Sequence, residues 1–408
     1  MTLDPVHFKG ITQLADRIQR DASLMDYRDL AEAIWTEQLD PLEWQGRTLL
    51  EPIGELSRRK VSIEGIALAD DPFETRHGLD SGTINPTTFK NGLVLDVAQA
   101  VMSAIPSDLD LHRRRTVVMT VHSNDATIDF HGGWRRRDDG FMRKRVLHTP
   151  RVSRGESAVV HDLALYLAES EHVLEQADRV EELLVLDGPI YPRGLLNWQR
   201  SEELRRLLDD NERPHDVIEN YIRIVERFAE RDVPLVGFVK TPLSRMITRT
   251  VEKRRGNAPW VNDAAFFSQL LEPDDDEALT FTNWFRSRGG QDELLSADGD
   301  ACGVERRRDP AEYEVTYCVI YDPRDGIVYR LEAPAVFTRD KTRREQLTRQ
   351  ILKGVAVEQG PPLAVEKADS LAKISKDETR ALQSALEQTL EAERDSSYDA
   401  KRTERWGL

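Results

Sequence analysis

The sequence predicts an α/β protein in which a mixed sheet, an antiparallel meander followed by a βαβ unit, is flanked by helices. Three apolar segments with short connections lie between about residues 59 and 122, a pattern typical of antiparallel neighbours. Further along, a helical segment separates two short apolar segments, 183–187 and 233–240. This order of strand, helix and strand favours parallel pairing through a crossover connection.

Composition places the chain among globular proteins. Hydrophobic residues make up 39% of the 408 residues and charged residues 32%, which is enough apolar material for a large core. No apolar run approaches the ~20 residues that span a bilayer, and the N-terminus lacks the basic start and apolar centre of a signal peptide. We therefore expect a cytoplasmic protein that does not associate with membranes.

The cysteine content limits the kind of metal site that the chain can form. Cys302 and Cys318 are the only cysteines, and neither belongs to a Cys-x-x-Cys motif or lies beside a histidine cluster. A zinc site or a disulfide framework is therefore not expected. A metal ion would have to be bound by oxygen ligands, which favours magnesium or manganese.

The formal net charge of −16 disfavours a nucleic-acid partner at first sight. However, the acids are spread along the whole chain and Arg far outnumbers Lys, a pattern typical of proteins in high salt, where long-range fields are screened within ~3 Å at 1 M. Basic clusters are more often solvated surfaces than binding sites, but five of them are candidates for phosphate contacts: 113–115, 135–137, 143–145, 253–255 and 306–308.

Residues 1–58 are predicted to form an N-terminal helical extension. Apolar side chains recur there at helical spacing in two stretches, which comprise Ile11, Leu14, Ala15 and Ile18 and then Leu30, Ile34 and Trp35. The extension carries no pattern of catalytic residues. We expect it to pack on the core or on a partner.

Strand patterns replace helical ones from about residue 59 onwards. The apolar segments of the predicted meander are 61–68, 91–97 and 115–122. The turn that contains Asp80 and Gly82 follows the first of them. An Arg-rich segment that includes residues 132–140 follows, and its glycines and acids predict a loop or hairpin.

Residues 156–178 and 216–231 carry the strongest helical periodicity, and each of these segments precedes a buried strand. The rest of the chain is predicted to contain, in order, a helix from 242 to about 255, an irregular acidic segment over 256–310, a hairpin of 312–320 and 327–333, and helices over 340–358 and 376–394. No internal repeat is visible.

Two acids stand where apolar segments end. Asp187 closes the segment Leu-Leu-Val-Leu and is followed by Gly-Pro, and Asp80 is followed by Ser-Gly. A single acid at such a position is more often a turn former or a helix N-cap than a catalytic group. Two acids from strands that could be neighbours indicate a shared metal site, because open α/β sheets place their chemistry at the carboxyl ends of strands.

Further candidates for this site lie on other elements. Glu171 borders the apolar face of the helix over 156–178, with Glu169 on the opposite flank as the alternative. Asp263 and Asp369 are two later acids, of which Asp263 has a helix N-cap as its alternative role. Lys240, at the end of a strand, is a candidate phosphate ligand or a surface lysine. Cleavage of a phosphodiester with oxygen-bound metal ions needs several carboxylates from different elements.

Motifs of other enzyme classes are missing from the sequence. It contains no P-loop, no Gly-x-Ser-x-Gly elbow and no Rossmann glycine fingerprint. Nucleotide hydrolysis by a P-loop, acyl transfer and dinucleotide-dependent redox chemistry are therefore disfavoured.

The segments around the candidate residues resemble the archaeal NurA nuclease family. The likeness runs from about residue 60 to 380, and it is specific through the order and spacing of its segments, which are 79–82, 184–189, 235–240, 262–267 and 361–374. Two positions depart from the family pattern. Asp369 stands where many members have His, and the turn after Asp187 reads Gly-Pro-Ile where Gly-Ser-Leu is common.

The resemblance implies an RNase H-like nuclease domain over 59–385 with a C-terminal tail over 386–408. It also implies a 5′ to 3′ exonuclease with single-strand endonuclease activity that depends on manganese, with magnesium as the alternative metal. Family members form homodimers and work with the hexameric DNA translocase HerA in resecting DNA ends for recombinational repair. Transferred to this chain, Asp80 and Asp187 would be metal ligands and Glu171 or Glu169 the helix carboxylate. The acid content fits a haloarchaeal member.

Two other functions remain open at this point. A non-catalytic adaptor for DNA ends or for the translocase would retain the nuclease fold and use the N-terminal helices and the Arg clusters as binding surfaces. A structure-specific RNase is the third interpretation.

Overall fold

The computed structural model describes residues 4–21, 27–123, 134–137, 140–144, 154–196, 213–273 and 276–395. The N-terminal half contains α1 (Pro5–Asp21), α2 (Arg28–Gln38), β1 (Leu42–Trp44), β2 (Arg47–Pro52), β3 (Arg58–Ser62), α3 (Ile63–Ala67), β4 (Arg76–Thr88), β5 (Leu93–Ile105), α4 (Leu109–Arg113), β6 (Thr116–Ser123), β7 (Trp134–Arg137), β8 (Gly140–Lys144), α5 (Arg154–Gln176), β9 (Leu184–Asp187) and α6 (Arg193–Leu196). The C-terminal half contains α7 (Arg213–Glu230), β10 (Leu235–Val239), α8 (Met246–Arg255), α9 (Asp263–Leu271), β11 (Ala278–Thr282), β12 (Phe285–Ser287), β13 (Val315–Asp322), β14 (Ile327–Pro334), α10 (Ala335–Thr338), α11 (Lys341–Glu358), α12 (Leu363–Ala372) and α13 (Lys376–Thr389).

One mixed sheet connects the described strands in the order β1-β2-β12-β13-β14-β10-β9-β4-β5-β6-β8-β7, with β11 pairing beside this path with β13 and β3. Strands β4, β5 and β6 form an antiparallel meander. Strand β9 pairs parallel with both β4 and β10, and α6 and α7 lie between β9 and β10 along the chain. The predicted mixed sheet with a meander and a βαβ unit is therefore confirmed, except that the first strand of the meander is β4 and not the predicted segment 61–68. The RNase H-like character stays a prediction.

The central strand β9 is buried because it has a strand on each side and a helix layer on each face. Leu184 and Val185 expose almost no surface, as expected for a short apolar strand inside a parallel sheet. Helix α5 packs on β4, β5 and β6, and α12 packs on β4, β5 and β9. Because successive side chains of β4 point to opposite faces, Ser81 meets α5 while Gly78 and Gly82 lie against α12.

The prediction of a helical N-terminal extension is confirmed for α1 and α2 and is wrong for β1 and β2. These strands form a hairpin that adds to the sheet through β12. Gln45 and Gly46, at the turn, have φ angles of 52° and 76°, which match the twist of the flanking strands. Leu42 and Leu50 are fully buried. Tertiary packing therefore outweighs the weak local pattern of this segment.

Three further segments differ from the sequence prediction. Residues 61–68 were predicted as a strand but contain the end of β3 and the helix α3. The segment over 256–310, predicted as irregular, contains α9, β11 and β12, and the helix α12 follows the Gly-Pro-Pro turn. By contrast, the Arg-rich segment predicted as a loop or hairpin contains the antiparallel pair β7 and β8, in agreement with the hairpin, and its remaining residues lie outside the described part of the chain. None of the described helices is both long and apolar enough to cross a membrane.

Helix α12 approaches β4 so closely that only glycine fits beneath it. A Cβ atom on Gly78 would lie 2.0 Å from the carbonyl oxygen of Ala364, and one on Gly82 would lie 2.0 Å from that of Ala372. The same two carbonyl oxygens accept hydrogen bonds from β5, at 2.5 Å from Ser103 Oγ and 2.9 Å from Gln99 Nε2. Both ends of α12 are therefore anchored on the sheet.

We expect Gly78→Ala to lower the free energy of unfolding by about 1–3 kcal/mol, because the added methyl group has to displace the backbone of α12. Chemical denaturation followed by circular dichroism measures this change. Gly65→Ala in α3 is the matched control, since its Cβ would meet only Ser62, at 3.5 Å or more. An alanine in a helix is favourable, so this variant should be at least as stable as the wild type. Equal stability of both variants would contradict the close packing of α12.

A candidate metal centre at the carboxyl end of the parallel strands

The register of the parallel strands places Asp80 and Asp187 beside each other. Leu79 on β4 pairs with Leu186 on β9, so the next residues, Asp80 and Asp187, lie level on neighbouring strands. Asp187 is in turn paired with Phe238 on β10, and Lys240 follows two residues later. Asp187 and Lys240 lie at the carboxyl ends of β9 and β10, as parallel strands require. The prediction that Asp80 also stands at the end of a strand is wrong, because β4 continues past it to Thr88 and Asp80 reaches the site through the register of β4 with β9.

Asp369 completes a cluster of three carboxylates from the opposite side of this edge. It lies on α12, and Asp80 stands between Gly78 and Gly82 on the face of β4 that α12 covers. One carboxylate oxygen from each of Asp80, Asp187 and Asp369 lies within 4.8 Å of the other two. Asp80 and Asp187 are half-buried and Asp369 is exposed, so the cluster opens to solvent on the side of α12.

Lys240 supplies a positive charge to this cluster. Its Nζ lies 2.7 Å from Asp187 Oδ2. Burial raises the pKa of Asp187, and the ammonium of Lys240 opposes that effect. Conversely, burial alone would lower the pKa of Lys240, but the hydrogen bond and charge of Asp187 outweigh it and raise that pKa. Lys240 is therefore a stable cation at neutral pH.

Asp80 has a strongly perturbed pKa. Burial, followed by the charge of Asp187, raises the pKa of Asp80 to about 7, although its Oδ1 accepts a hydrogen bond of 2.7 Å from the Ser81 amide. A desolvated carboxylate beside like charges is a typical feature of functional sites. The electrostatic cost of this arrangement is a reason to expect a cation there.

Glu169 is the helix carboxylate that the structure connects to Asp80. Its Oε1 accepts a 2.5 Å hydrogen bond from Ser81 Oγ, and its Oε2 accepts one of 3.3 Å from the hydroxyl of Tyr221 on α7. Burial raises the pKa of Glu169 to about 8, with a further contribution from the charge of Asp80. Ser81 therefore links Glu169 on one face of β4 to Asp80 on the other.

Glu171, which the sequence analysis favoured over Glu169, lies two residues further along α5. Residues two positions apart in an α-helix are separated by about 200° around the axis, so the side chains of Glu169 and Glu171 leave the helix in different directions. The hydrogen bonds from Ser81 and Tyr221 go to Glu169. The structure therefore links Glu169 to Asp80 through Ser81, although Glu169 is not one of the three clustered carboxylates.

Asp263, the remaining candidate, lies outside the cluster and has structural partners. Its Oδ2 accepts a 2.6 Å hydrogen bond from Ser244 Oγ, and its Oδ1 accepts bonds from the amide and hydroxyl of Thr248, at 2.9 and 3.1 Å. The N-cap of α9 is Asn262, whose side chain accepts from the Ala265 amide. Asp263 thus satisfies amide and hydroxyl donors at the start of α8, and its expected catalytic role has no support in its position.

The donor set of the cluster fits a hard divalent cation. Asp80, Asp187 and Asp369 offer only carboxylate oxygens, which are the preferred ligands of magnesium and manganese. Mutual repulsion of the three carboxylates contributes to the raised pKa of Asp80, and a divalent cation would relieve it. Asp369 belongs to this donor set because its carboxylate lies within reach of the other two.

Sequence reasoning missed two residues that shape the site, Ser81 and Tyr221. Ser81 is adjacent to Asp80 and points to the other face of β4, so the alternation of side chains along a strand could have predicted its contact with α5. The pattern Gly-x-Asp-x-Gly over Gly78–Gly82 was the available signal for α12, because it leaves one face of the strand without side chains around Asp80. Tyr221 carries no comparable signal, since it lies on the apolar face of α7.

Comparison with known proteins gives a family match and a similar fold. A family model described as the NurA domain matches residues 74–374. The crystal structure of the NurA nuclease from Sulfolobus solfataricus is similar with a TM-score of 0.50 and 11% sequence identity, over 95% of this chain and 98% of that one. Two other similar structures are NurA bound to dAMP and manganese (TM-score 0.44, 10% identity, 82% and 91% of the two chains) and NurA with manganese (TM-score 0.41, 10% identity, 79% and 90%). None of the curated proteins matches the sequence. At this identity the first of these structures supports the fold alone.

Proposed function

The chain belongs to the NurA domain family, and on that premise we propose that it is a metal-dependent nuclease that hydrolyses phosphodiester bonds of DNA. The observation that carries this proposal is the convergence of Asp80, Asp187 and Asp369 from two strands and a helix. Such a cluster of oxygen ligands is what metal-assisted phosphodiester cleavage requires.

Each residue of the site has a role in this proposal. Asp80, Asp187 and Asp369 hold the divalent ion, and Glu169 contributes a further carboxylate from the other face of β4. When bound, the ion would make a water molecule more acidic and offset negative charge on the phosphate. Lys240, beside Asp187, provides a fixed positive charge that attracts the scissile phosphate and orients it toward the carboxylates.

Family membership supports the finer parts of the proposal. We expect 5′ to 3′ exonuclease and single-strand endonuclease activity, with manganese preferred over magnesium. We also expect a homodimer that works with a hexameric HerA-type translocase in DNA end resection for recombinational repair. Light scattering measures the mass of the assembly, and copurification with the translocase tests the partnership.

A cleavage assay tests the proposed function directly. Single-stranded and duplex DNA labelled at either end should be shortened in the presence of manganese and remain intact when EDTA is added. The assay should be run at low and at molar salt, because the acidic composition is typical of proteins from high salt. Binding of DNA without cleavage at any salt concentration would favour the adaptor, and cleavage restricted to RNA would favour the RNase.

A further inference from the structure

A cavity of about 510 Å³ opens next to the metal centre, at the carboxyl end of β10. Its wall includes Val239 and Thr241, the two neighbours of Lys240, and Pro189, two residues after Asp187. Phe238 is level with Asp187 on the neighbouring strand. Because side chains alternate along a strand, Val239, the last residue of β10, points to the face opposite Asp187. The cavity and the carboxylate cluster therefore share one edge of the sheet and lie on opposite sides of it.

The cavity is basic although the whole chain is acidic. Five cationic side chains and one carboxylate line it, namely Arg193, Arg245, Arg249, Lys253, Arg330 and Asp292. Asp292 lies 3.5 Å from the guanidinium of Arg193 and 3.4 Å from that of Arg330, and it accepts a 2.6 Å hydrogen bond from Ser287. Arg193 and Arg330 also form ion pairs with the buried Glu332. These two arginines are thus neutralised by neighbouring carboxylates.

The other three cations form an exposed row that begins at the N-cap residue of α8 and continues along the helix, and we name it the basic face (Arg245, Arg249 and Lys253). They follow one another at intervals of four residues, so they lie in a row along the helix, about 6 Å apart. All three are exposed, and among the described residues no carboxylate forms an ion pair with them. Lys253 lies over the ring of Trp44, with Nζ 5.2 Å from the ring centroid.

The neighbouring cations of the same helix differ from the basic face. Arg254 donates a hydrogen bond to the carbonyl oxygen of Glu43, and Arg255 lies 3.0 Å from the carboxylate of Glu37. Neither of them lines the cavity. Arg254 and Arg255 therefore attach α8 to the N-terminal segment, whereas the three cations of the basic face line the cavity.

We infer that the basic face binds phosphates of a single DNA strand and guides that strand over the edge of the sheet into the metal centre; this inference rests on the proposed nuclease function. A row of unpaired cations is suited to a polyanion, because each phosphate contact releases condensed counterions. The cavity has the volume of a small-ligand pocket, enough for about a nucleotide and too small for a duplex. A single strand is therefore the form of DNA that fits.

The test compares two double variants of α8 with equal loss of charge. Binding of a labelled single-stranded oligonucleotide is measured by fluorescence anisotropy in EDTA, so that no cleavage occurs, over a range of salt concentrations. For Arg245→Gln with Arg249→Gln, we expect the slope of log binding constant against log salt to become shallower by about 1.4, since each contact with a single strand contributes ~0.7. The same relation predicts a loss of affinity of about 25-fold at 0.1 M salt.

The control is Arg254→Gln with Arg255→Gln, which should bind the oligonucleotide with an unchanged salt slope. Circular dichroism verifies that both variants are folded under the conditions of the measurement. Equal effects of the two double variants, or no effect of the first, would overturn the inference. So would an equal loss of affinity for a blunt duplex of the same sequence, because the basic face would then not select single strands.

A separate measurement distinguishes this inference from the proposed function. Bis(4-nitrophenyl) phosphate is a small phosphodiester that needs only the metal centre, and the wild type should hydrolyse it with manganese. Absence of that hydrolysis would count against the nuclease proposal and leave the binding comparison valid. Normal hydrolysis with no difference between the two double variants would reject only the guiding role of the basic face.

Discussion

Asp187→Asn is expected to lower DNA cleavage by roughly a thousandfold or more, the largest effect of any single substitution in this chain. Asp187 lies between Asp80 and Lys240 and contributes one of the three clustered oxygens. The amide retains the size of the side chain but removes the negative charge that binds a divalent ion. It also removes the ion pair that orients the ammonium of Lys240.

The folded state should tolerate this substitution. Burial raises the pKa of Asp187, which means that the folded protein disfavours its charged form relative to the unfolded chain. Replacing Asp187 with a neutral side chain of the same shape should therefore not lower the free energy of unfolding on electrostatic grounds, apart from the loss of the ion pair with Lys240. Thermal unfolding and the assay of end-labelled DNA with manganese measure the two effects separately.

Asp263→Asn is the matched control for Asp187→Asn. Like Asp187, Asp263 is an aspartate at the end of a secondary-structure element. Its carboxylate oxygens accept hydrogen bonds from Ser244 and Thr248 and do not belong to the carboxylate cluster. We expect it to lower the free energy of unfolding by about 1–3 kcal/mol and to leave cleavage per folded molecule within about threefold of the wild type. Cleavage at the wild-type rate by Asp187→Asn would reject the metal centre.

Glu169→Gln is the substitution with the second-largest expected effect, a loss of cleavage of roughly 100-fold. Glu169 is connected to Asp80 through Ser81 and lies near enough for the charge of Asp80 to raise its pKa. Glutamine has about the same size and keeps one acceptor oxygen for the bond from Ser81, but an NH2 group replaces the oxygen that accepts from Tyr221, and the side chain cannot ionise. The rate of cleavage and the manganese concentration for half-maximal activity should therefore both change.

Glu171→Gln provides the comparison, because the same chemical change is made two residues away on the same helix. We expect this variant to cleave DNA within about threefold of the wild-type rate. If Glu171→Gln were the inactive variant and Glu169→Gln the active one, the choice made by the sequence pattern would be correct and the connection through Ser81 would be structural only. Similar losses in both would indicate a general disturbance of α5.

The parts of the fold that local patterns can specify were predictable. The four apolar residues before Asp187 predict a buried strand, because a segment with apolar side chains on both faces requires cover on both faces. The strand, helix and strand order from β9 to β10 predicts parallel pairing, which places Asp187 and Lys240 at neighbouring carboxyl ends. The position of Asp80 inside β4 was not predictable in this way. The hairpin of β1 and β2 was not predictable in this way, since its burial depends on pairing with β12, more than two hundred residues away.

The sequence by itself thus determined the central sheet, the acids Asp80 and Asp187 at its edge, and membership of the family. The tertiary structure alone decided that Asp369 joins them, that Glu169 is linked to Asp80 through Ser81, and that Asp263 accepts hydrogen bonds from Ser244 and Thr248. The physical reason is that a strand with apolar side chains on both faces, such as β9, indicates its own burial in its sequence. The meeting of a helix carboxylate with a strand depends on how closely two distant elements pack, which here is set by the bare glycine face of β4 beneath α12 and by the contact of Ser81 with α5.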